Sequence, residues 1–203
     1  MSERDAILAR VRRGAPRRAL HPGAHPPPPL AGGWETFATT LAEVGGEAHG
    51  PVAKHALGDA LVELVRRRAE GGRVVAEPSA GELAGRGPWE IAREPAAGHS
   101  FADVAVAIAR GRAAAADCAA VAILDSDAPH RALPFLCQRL VLLLPAACLH
   151  PDLHSAWAAL PAAAWRSHHV TWISGPSKTA DIEQTLVYGA HGPLGLDVVG
   201  IAD

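Results

Sequence analysis

The sequence predicts one α/β domain built on a largely parallel β-sheet covered on both faces. Short apolar runs of strand length alternate with segments whose apolar residues recur every three or four positions. One such helical segment is closed by Gly71-Gly72 and followed directly by Arg73-Val74-Val75-Ala76, the helix–turn–strand half of a crossover unit. The strands are apolar throughout instead of alternating with polar residues, the pattern of strands buried on both sides. With 203 residues, 49% of them hydrophobic, the chain can bury one substantial core but is short for two ordinary domains.

Taken in order, residues 3–13 read as a short amphipathic helix with Ile7, Leu8 and Val11 on one face. Arg17-Arg18 and the run from His21 to Pro29 follow, and so Pro-rich a stretch reads as a polyproline-like or irregular linker. Residues 1–31 are therefore expected to form an arm, and residues 32–203 the single domain. Trp34, Phe37, Leu41 and Val44 mark a helix stopped by Gly45-Gly46, and Leu57, Leu61, Leu64 and Val65 mark a second from about Ala56 to Arg68. Strands are expected at 73–76, 104–108, 119–124, 139–144, 170–173 and 196–201, with helices at about 152–164 and 179–188.

A formal net charge of -2 gives no basic field to hold nucleic acid or an anionic membrane, so a small molecule or a protein is the expected partner. Cys118, Cys137 and Cys148 are widely spaced with no C-x-x-C pair, which argues against a disulfide scaffold, a zinc ribbon or an iron–sulfur site in this chain. The charged N-terminus lacks the apolar run of a secretory signal. Pro145 interrupts the most apolar stretch, Leu140–Leu149, which is far shorter than the roughly 20 residues that span a bilayer. No membrane insertion and a cytoplasmic location are expected. Of 19 basic residues only Lys54 and Lys178 are lysine, so the abundance of Arg reflects a composition bias more than a function.

The densest set of chemically capable residues runs from Ser174 to Pro193. It follows the strand expected at 170–173 and opens the helix expected at Thr179, whose stop signal is Gly189. A turn at the C-terminal end of a strand is where open α/β sheets bind ligands, and a helix start offers unpaired N–H groups to an anion. Gly175, Ser177, Lys178, Thr179 and Gly192 are the candidate ligand-binding residues, and Asp181, Glu183 and His191 the candidate acid–base groups. An ordinary capped helix flanked by turn-forming glycines and prolines accounts for the same spacing. The Walker pattern is absent.

Gly175-Pro176-Ser177-x-Thr179-Ala180-Asp181-Ile182-Glu183, followed by Gly189-x-His191-Gly192-Pro193, resembles the C-terminal signature of the lactate utilization protein C, or LUD-domain, family. The resemblance implies a three-layer sandwich with a mostly parallel sheet, similar to the sugar-phosphate isomerase and coenzyme A transferase superfamily. It also implies a part in oxidation of L-lactate to pyruvate, with iron–sulfur clusters on partner subunits and no cofactor on this chain. Two departures stand out. Lys178 replaces the usual Arg, keeping charge but losing the bidentate fork, and Val121-Ala122-Ile123-Leu124-Asp125-Ser126-Asp127 replaces a small-residue turn with Gly and Thr. A non-catalytic assembly or regulatory subunit, and a stand-alone enzyme on a phosphorylated or coenzyme A-linked substrate, are the alternatives.

Other clusters have plainer explanations. His150 and His154 could place two imidazoles one helical turn apart for a metal, but Pro151 makes a simple helix start equally natural. His168 and His169 point to opposite faces of a strand, and the polar loop from Asp125 to Arg131, which could face the same pocket, reads more simply as a solvated turn. The tryptophans, Trp34, Trp89, Trp157, Trp165 and Trp172, read as core or interface anchors.

Overall fold

The structure is a computed structural model that describes residues 2–14, 32–92, 101, 103–127, 130–166, 169–180 and 185–202. The helices are α1 (Glu3–Gly14), α2 (Trp34–Glu43), α3 (Leu57–Ala69), α4 (Pro78–Ala84), α5 (Leu133–Leu136), α6 (Leu153–Ala158) and α7 (Ala162–Arg166). Six strands form the main sheet: β1 (Glu47–Val52), β2 (Arg73–Ala76), β3 (Glu90–Ile91), β4 (Val104–Arg110), β7 (Arg139–Pro145) and β12 (Gly195–Ile201). Their order is β1-β12-β7-β4-β2-β3, and every pairing is parallel.

Period-two alternation in the central strands sorts the core. From β7, Leu140, Leu142 and Leu144 enter one cluster with Phe37 and Leu41 of α2; Val141 and Leu143 enter the other, with Leu57, Leu61, Leu64 and Val65 of α3 and Ala80 and Ala84 of α4. The expected coverage on both faces is found, with α3 and α4 as one outer layer and α2 as part of the other.

The rest of that second layer is a small sheet in the order β8-β5-β6-β9, from β5 (Ala113–Ala115), β6 (Ala120–Leu124), β8 (Leu149–His150) and β9 (Val170–Ile173). The strands expected at 119–124 and 170–173 exist, but they pair antiparallel to each other in this sheet, outside the main one. The cause is local. The chain leaves β4 at Gly111, whose amide still bonds Leu143 O, and bends at Arg112; a tight turn with Ala119 at φ 50° then folds β5 back on β6. The outer face of the small sheet is covered by Ala156 of α6, Ala164 of α7 and Leu160 between them.

Three further expectations are corrected. The helix expected at 152–164 is two short helices, because Pro161 cannot continue the first; its N-cap is Asp152, which accepts from the Ser155 amide at 2.8 Å. His150 therefore sits in β8 and not one turn before His154. The helix expected at 179–188 is not formed at either end. Lys178–Thr179 (β10) and Val187–Tyr188 (β11) pair as antiparallel strands, and residues 181–184 lie outside the described residues. β1 was hidden in the sequence by Gly50-Pro51, which an edge strand tolerates. At Gly50, with φ +95°, a Cβ would meet the Val52 amide nitrogen and the Gly200 carbonyl oxygen at 2.5 and 2.9 Å.

At the N-terminal ends of β1, β7 and β12, the fully buried Asp197 accepts from His49 Nε2 at 2.8 Å and from Arg68 Nη2 at 2.8 Å, with Arg139 Nη1 at 3.5 Å. Arg68 also reaches Glu47 at 2.5 Å. Burial alone would raise the Asp197 pKa, but hydrogen bonds from His49 and Arg68 outweigh it and hold the carboxyl below its ordinary value. Its contribution to stability is therefore present above about pH 4 and is lost as the pH falls through the depressed folded value. Asp197→Asn should cost about 3 kcal/mol in urea unfolding at pH 7, the scale for breaking a buried pair while leaving its partner charged. A loss below about 1 kcal/mol would show that the network does not hold these strand ends together.

Candidate functional site

The segment carrying the sequence motif is a clasp. Ser177 donates its amide to Pro193 O at 2.9 Å and accepts from the Gly189 amide at 2.9 Å, while its Oγ accepts from the His191 amide at 3.3 Å. Gly175, at φ +78°, packs so closely on α2 that a Cβ would lie 2.8 Å from Val44 O, and a Cβ at Gly192 would lie 3.2 Å from Ser177 Cβ. Lys178 Nζ donates to Val44 O, the helix-terminal carbonyl that a cation suits. Thr179 pairs with Val187 in the hairpin. Asp181 and Glu183 lie outside the described residues, as does His168.

The clasp also sits at the opposite end of the main sheet from the one expected. β9 belongs to the small sheet, and the chain leaving the clasp bonds Leu194 N to Gln138 O before entering β12 at Gly195. It thus lies at the N-terminal ends of β7 and β12, and Lys178–Thr179 is strand where a helix start was expected.

The structure brings Gly175, Ser177, His191 and Gly192 to the wall of a groove that runs around α5. Three adjoining cavities make up this groove, and Phe135 lines all of them. One, of about 230 Å³, lies between Phe135, Trp172, Gly175 and Ser177; another, of about 380 Å³, between Phe135, Gln138, His191 and Gly192. The third, of about 310 Å³, is bounded by Asp125, Arg131, Phe135, His169 and Thr171. The volumes suit a molecule of a few heavy atoms, and the mix of apolar floor and a few polar groups is that of a small-ligand site. Lys178 and Thr179 line none of the three cavities.

In the turn Asp125–Asp127 only Ser126 is exposed, and Asp125 faces the groove, the reading the sequence offered beside a solvated turn. Arg131 Nη2 lies 2.9 Å from Asp125 Oδ2, an ion pair by distance but off the hydrogen-bond direction, so this buried oxygen keeps an unmet lone pair. Asp127 is gripped by Arg112 through two bonds of 2.5 Å. Thus one short turn carries Asp125 to the groove and Asp127 toward the C-terminal ends of β2 and β4.

At that end stands Glu77, directly after β2, only 1% exposed, with Oε1 unpartnered. Burial first, and then the negative charge of Asp127, push its pKa up to about 8 against the opposing hydrogen bond from the Arg110 amide. Near neutral pH the carboxyl is therefore largely protonated and can donate. Ser79 Oγ and Arg110 Nε are likewise buried and unpartnered. The sequence reading missed this group. Its available signal was a Glu between an apolar strand and a Pro at a helix start, the position where sheet ligands gather.

Two sets of possible metal or redox ligands are otherwise committed. Glu47, His49 and Asp197 bring ligand atoms within 4.8 Å of one another, but Arg68 already binds both carboxylates. Burial pushes the Cys137 thiol up to about 12, far from the thiolate needed for nucleophilic or metal chemistry.

Glu77 holds its proton in the folded state up to about pH 8 but loses it near 4.5 when unfolded. Its contribution is then present below about pH 4.5 and is lost as the pH rises through about 8. Glu77→Gln keeps the shape and the donor but cannot ionise. Its stability relative to the unsubstituted chain should grow by about 1.4 kcal/mol per pH unit across that window. Parallel denaturation midpoints from pH 5 to 8 would contradict a protonated Glu77.

Comparison with known proteins agrees with the architecture. The LUD domain matches residues 35–200. Lactate utilization protein C from Anoxybacillus flavithermus is 30% identical over 123 residues, covering 59% of this chain and 50% of that protein. The same-named protein from Geobacillus kaustophilus is 28% identical over 175 residues, covering 81% and 71%. With several of these relatives the chain aligns over only about half their length or less. The crystal structure of a DUF162 family protein from Deinococcus radiodurans superposes with a TM-score of 0.62 at 14% identity, covering 82% of this chain and 94% of that one. Matched along most of its length by the family and sharing the fold, the chain belongs to the LUD domain family.

Proposed function

We propose that this chain is a subunit of an L-lactate utilization system, serving oxidation of lactate to pyruvate, and that it binds a small carboxylate in the groove around Phe135. The observation that carries the reading is the convergence of two sequence-distant sets of polar groups on that groove. Asp125, Arg131 and Thr171 stand at one end, and Ser177, His191 and Gly192 at the other. The names of the relatives supply the metabolic context. Arg131 offers a guanidinium at the groove mouth, restrained by Asp125 and suited to a carboxylate. His191, which lines the groove, and the candidates Asp181 and Glu183 of the same sequence motif are the proposed acid–base groups; Gly175 and Ser177 shape the wall. Lys178 and Thr179 brace the clasp. Iron–sulfur clusters, in this reading, reside on partner subunits that receive the electrons.

A bacterial strain lacking its own lactate utilization protein C, complemented with this chain, tests the reading. Growth on L-lactate should be restored by the unsubstituted chain and reduced about tenfold in rate by Arg131→Ala, the scale of one lost charge-assisted hydrogen bond. Growth on glucose and the abundance of the protein should be unchanged. Full growth on lactate with Arg131→Ala would remove the groove from the function, and failure of the unsubstituted chain to complement would count against the lactate role.

A further inference from the structure

The exposed large apolar side chains among the described residues fall into four places. Phe135, Leu136 and Leu194 border the groove, and Leu186 and Tyr188 belong to the hairpin segment. Two places remain without a role. One is α1, where Ile7 and Val11 are 57% and 63% exposed and no residue is buried. The other is the outer face of α6 and α7, where Leu153, Trp157 and Trp165 are 41%, 47% and 58% exposed.

The second surface is a built aromatic platform. Trp157 stacks on Trp172 of β9 with centroids 6.1 Å apart and meets Trp165 edge-on at 5.6 Å, fixing the two outer rings. Leu153, His154 and Trp157 border an open depression beside it. Clustered exposed tryptophans of this kind mark a surface that is covered by something.

α1 has the complementary form. Ser2 and Asp5 cap it reciprocally, Ser2 Oγ bonding Asp5 Oδ2 at 2.8 Å and accepting from the Asp5 amide at 3.3 Å. Ile7, Leu8 and Val11 lie on one face. A helix of 12 residues is marginal in water without a surface to support it.

The point of attachment links the two. Gly32 lies against Pro151, so close that a Cβ there would collide with its backbone, and Pro151 is two residues before Leu153. The segment joining α1 to the domain, residues 15–31, thus begins beside the platform, and its reach is at most about 60 Å even fully extended. A tether anchored at the edge of the surface gives α1 an effective concentration there of roughly millimolar, which another copy of the chain reaches only at high protein concentration.

We infer that α1 docks its Ile7–Leu8–Val11 face on the Leu153–Trp157–Trp165 platform of its own chain. Hydrogen–deuterium exchange of the full chain reads this directly. The α1 amides should exchange at least about tenfold more slowly in the unsubstituted chain than in Ile7→Asp/Val11→Asp, and Trp165→Ser should accelerate them as well, with exchange in the main sheet unchanged in both. The slow exchange should be constant over about a fiftyfold range of protein concentration. Free exchange of α1 in the unsubstituted chain, or insensitivity to Trp165→Ser, would overturn the docking. Protection that rises with concentration would overturn docking within one chain and assign the platform to a second copy.

Discussion

The need to cover both faces of a fully parallel sheet organises the molecule. β7 presents Leu140, Leu142 and Leu144 to one side and Val141 and Leu143 to the other, all essentially inaccessible to water. Fully burying each such side chain is worth about 1.5–3 kcal/mol, so neither face can be left open. α3 and α4 close one face. α2 closes only part of the other, and the hairpin of β5 and β6 completes it with Ala114, Val121 and Ile123. That hairpin has an outer face of its own, and α6 and α7 in turn must cover it. The tryptophan platform is the outermost consequence of this succession of layers.

With both faces apolar, charge is confined to the ends of the sheet, and the two ends treat it differently. At the N-terminal end, Asp197 is surrounded by His49, Arg68 and Arg139, an arrangement in which every charge has a counter-charge. At the C-terminal end, Glu77, Ser79 and Arg110 each leave a buried polar atom without a partner. An unmet buried polar group costs about 1–3 kcal/mol, and a fold that retains several in one region contrasts with one that satisfies its network at the other end. The Asp125–Asp127 turn joins this unsatisfied end to the groove, for the charge of Asp127 acts on Glu77 while Asp125 lines the site proposed for a carboxylate.

What the sequence disclosed tracks how strongly each segment is constrained locally. Long apolar periodicity made α2, α3, β2, β4, β7 and β12 legible. Ala113–Ala122 was ambiguous because alanine suits a helix and a core strand alike, so its partition into an antiparallel second sheet depended on a bend at Arg112 and a turn at Ala119 that no local pattern announces. The segment after Thr179 reads as a helix by the spacing of Ile182 and Leu186. The Ser177 amide nevertheless bonds Pro193 O and the Gly189 amide bonds Ser177 O, which brings the two ends together, and the β-branched Val187 and the aromatic Tyr188 suit strands. The motif at Gly175–Pro193 identified the family correctly even though its best-defined contacts are structural. Glu77 was invisible as a site because its importance comes from burial and from Asp127, fifty residues away in sequence.

The groove around Phe135 as a carboxylate site is the claim on which the functional reading turns, and titration calorimetry of the full chain with L-lactate and with pyruvate tests it most directly. Saturable binding of either should weaken at least about tenfold in Arg131→Ala, the scale of a lost charge-assisted hydrogen bond. It should remain within about twofold in Lys178→Ala, whose ammonium is held by Val44 O away from the groove. Binding that survives Arg131→Ala and is lost with Lys178→Ala would place the ligand at the clasp and contradict the account.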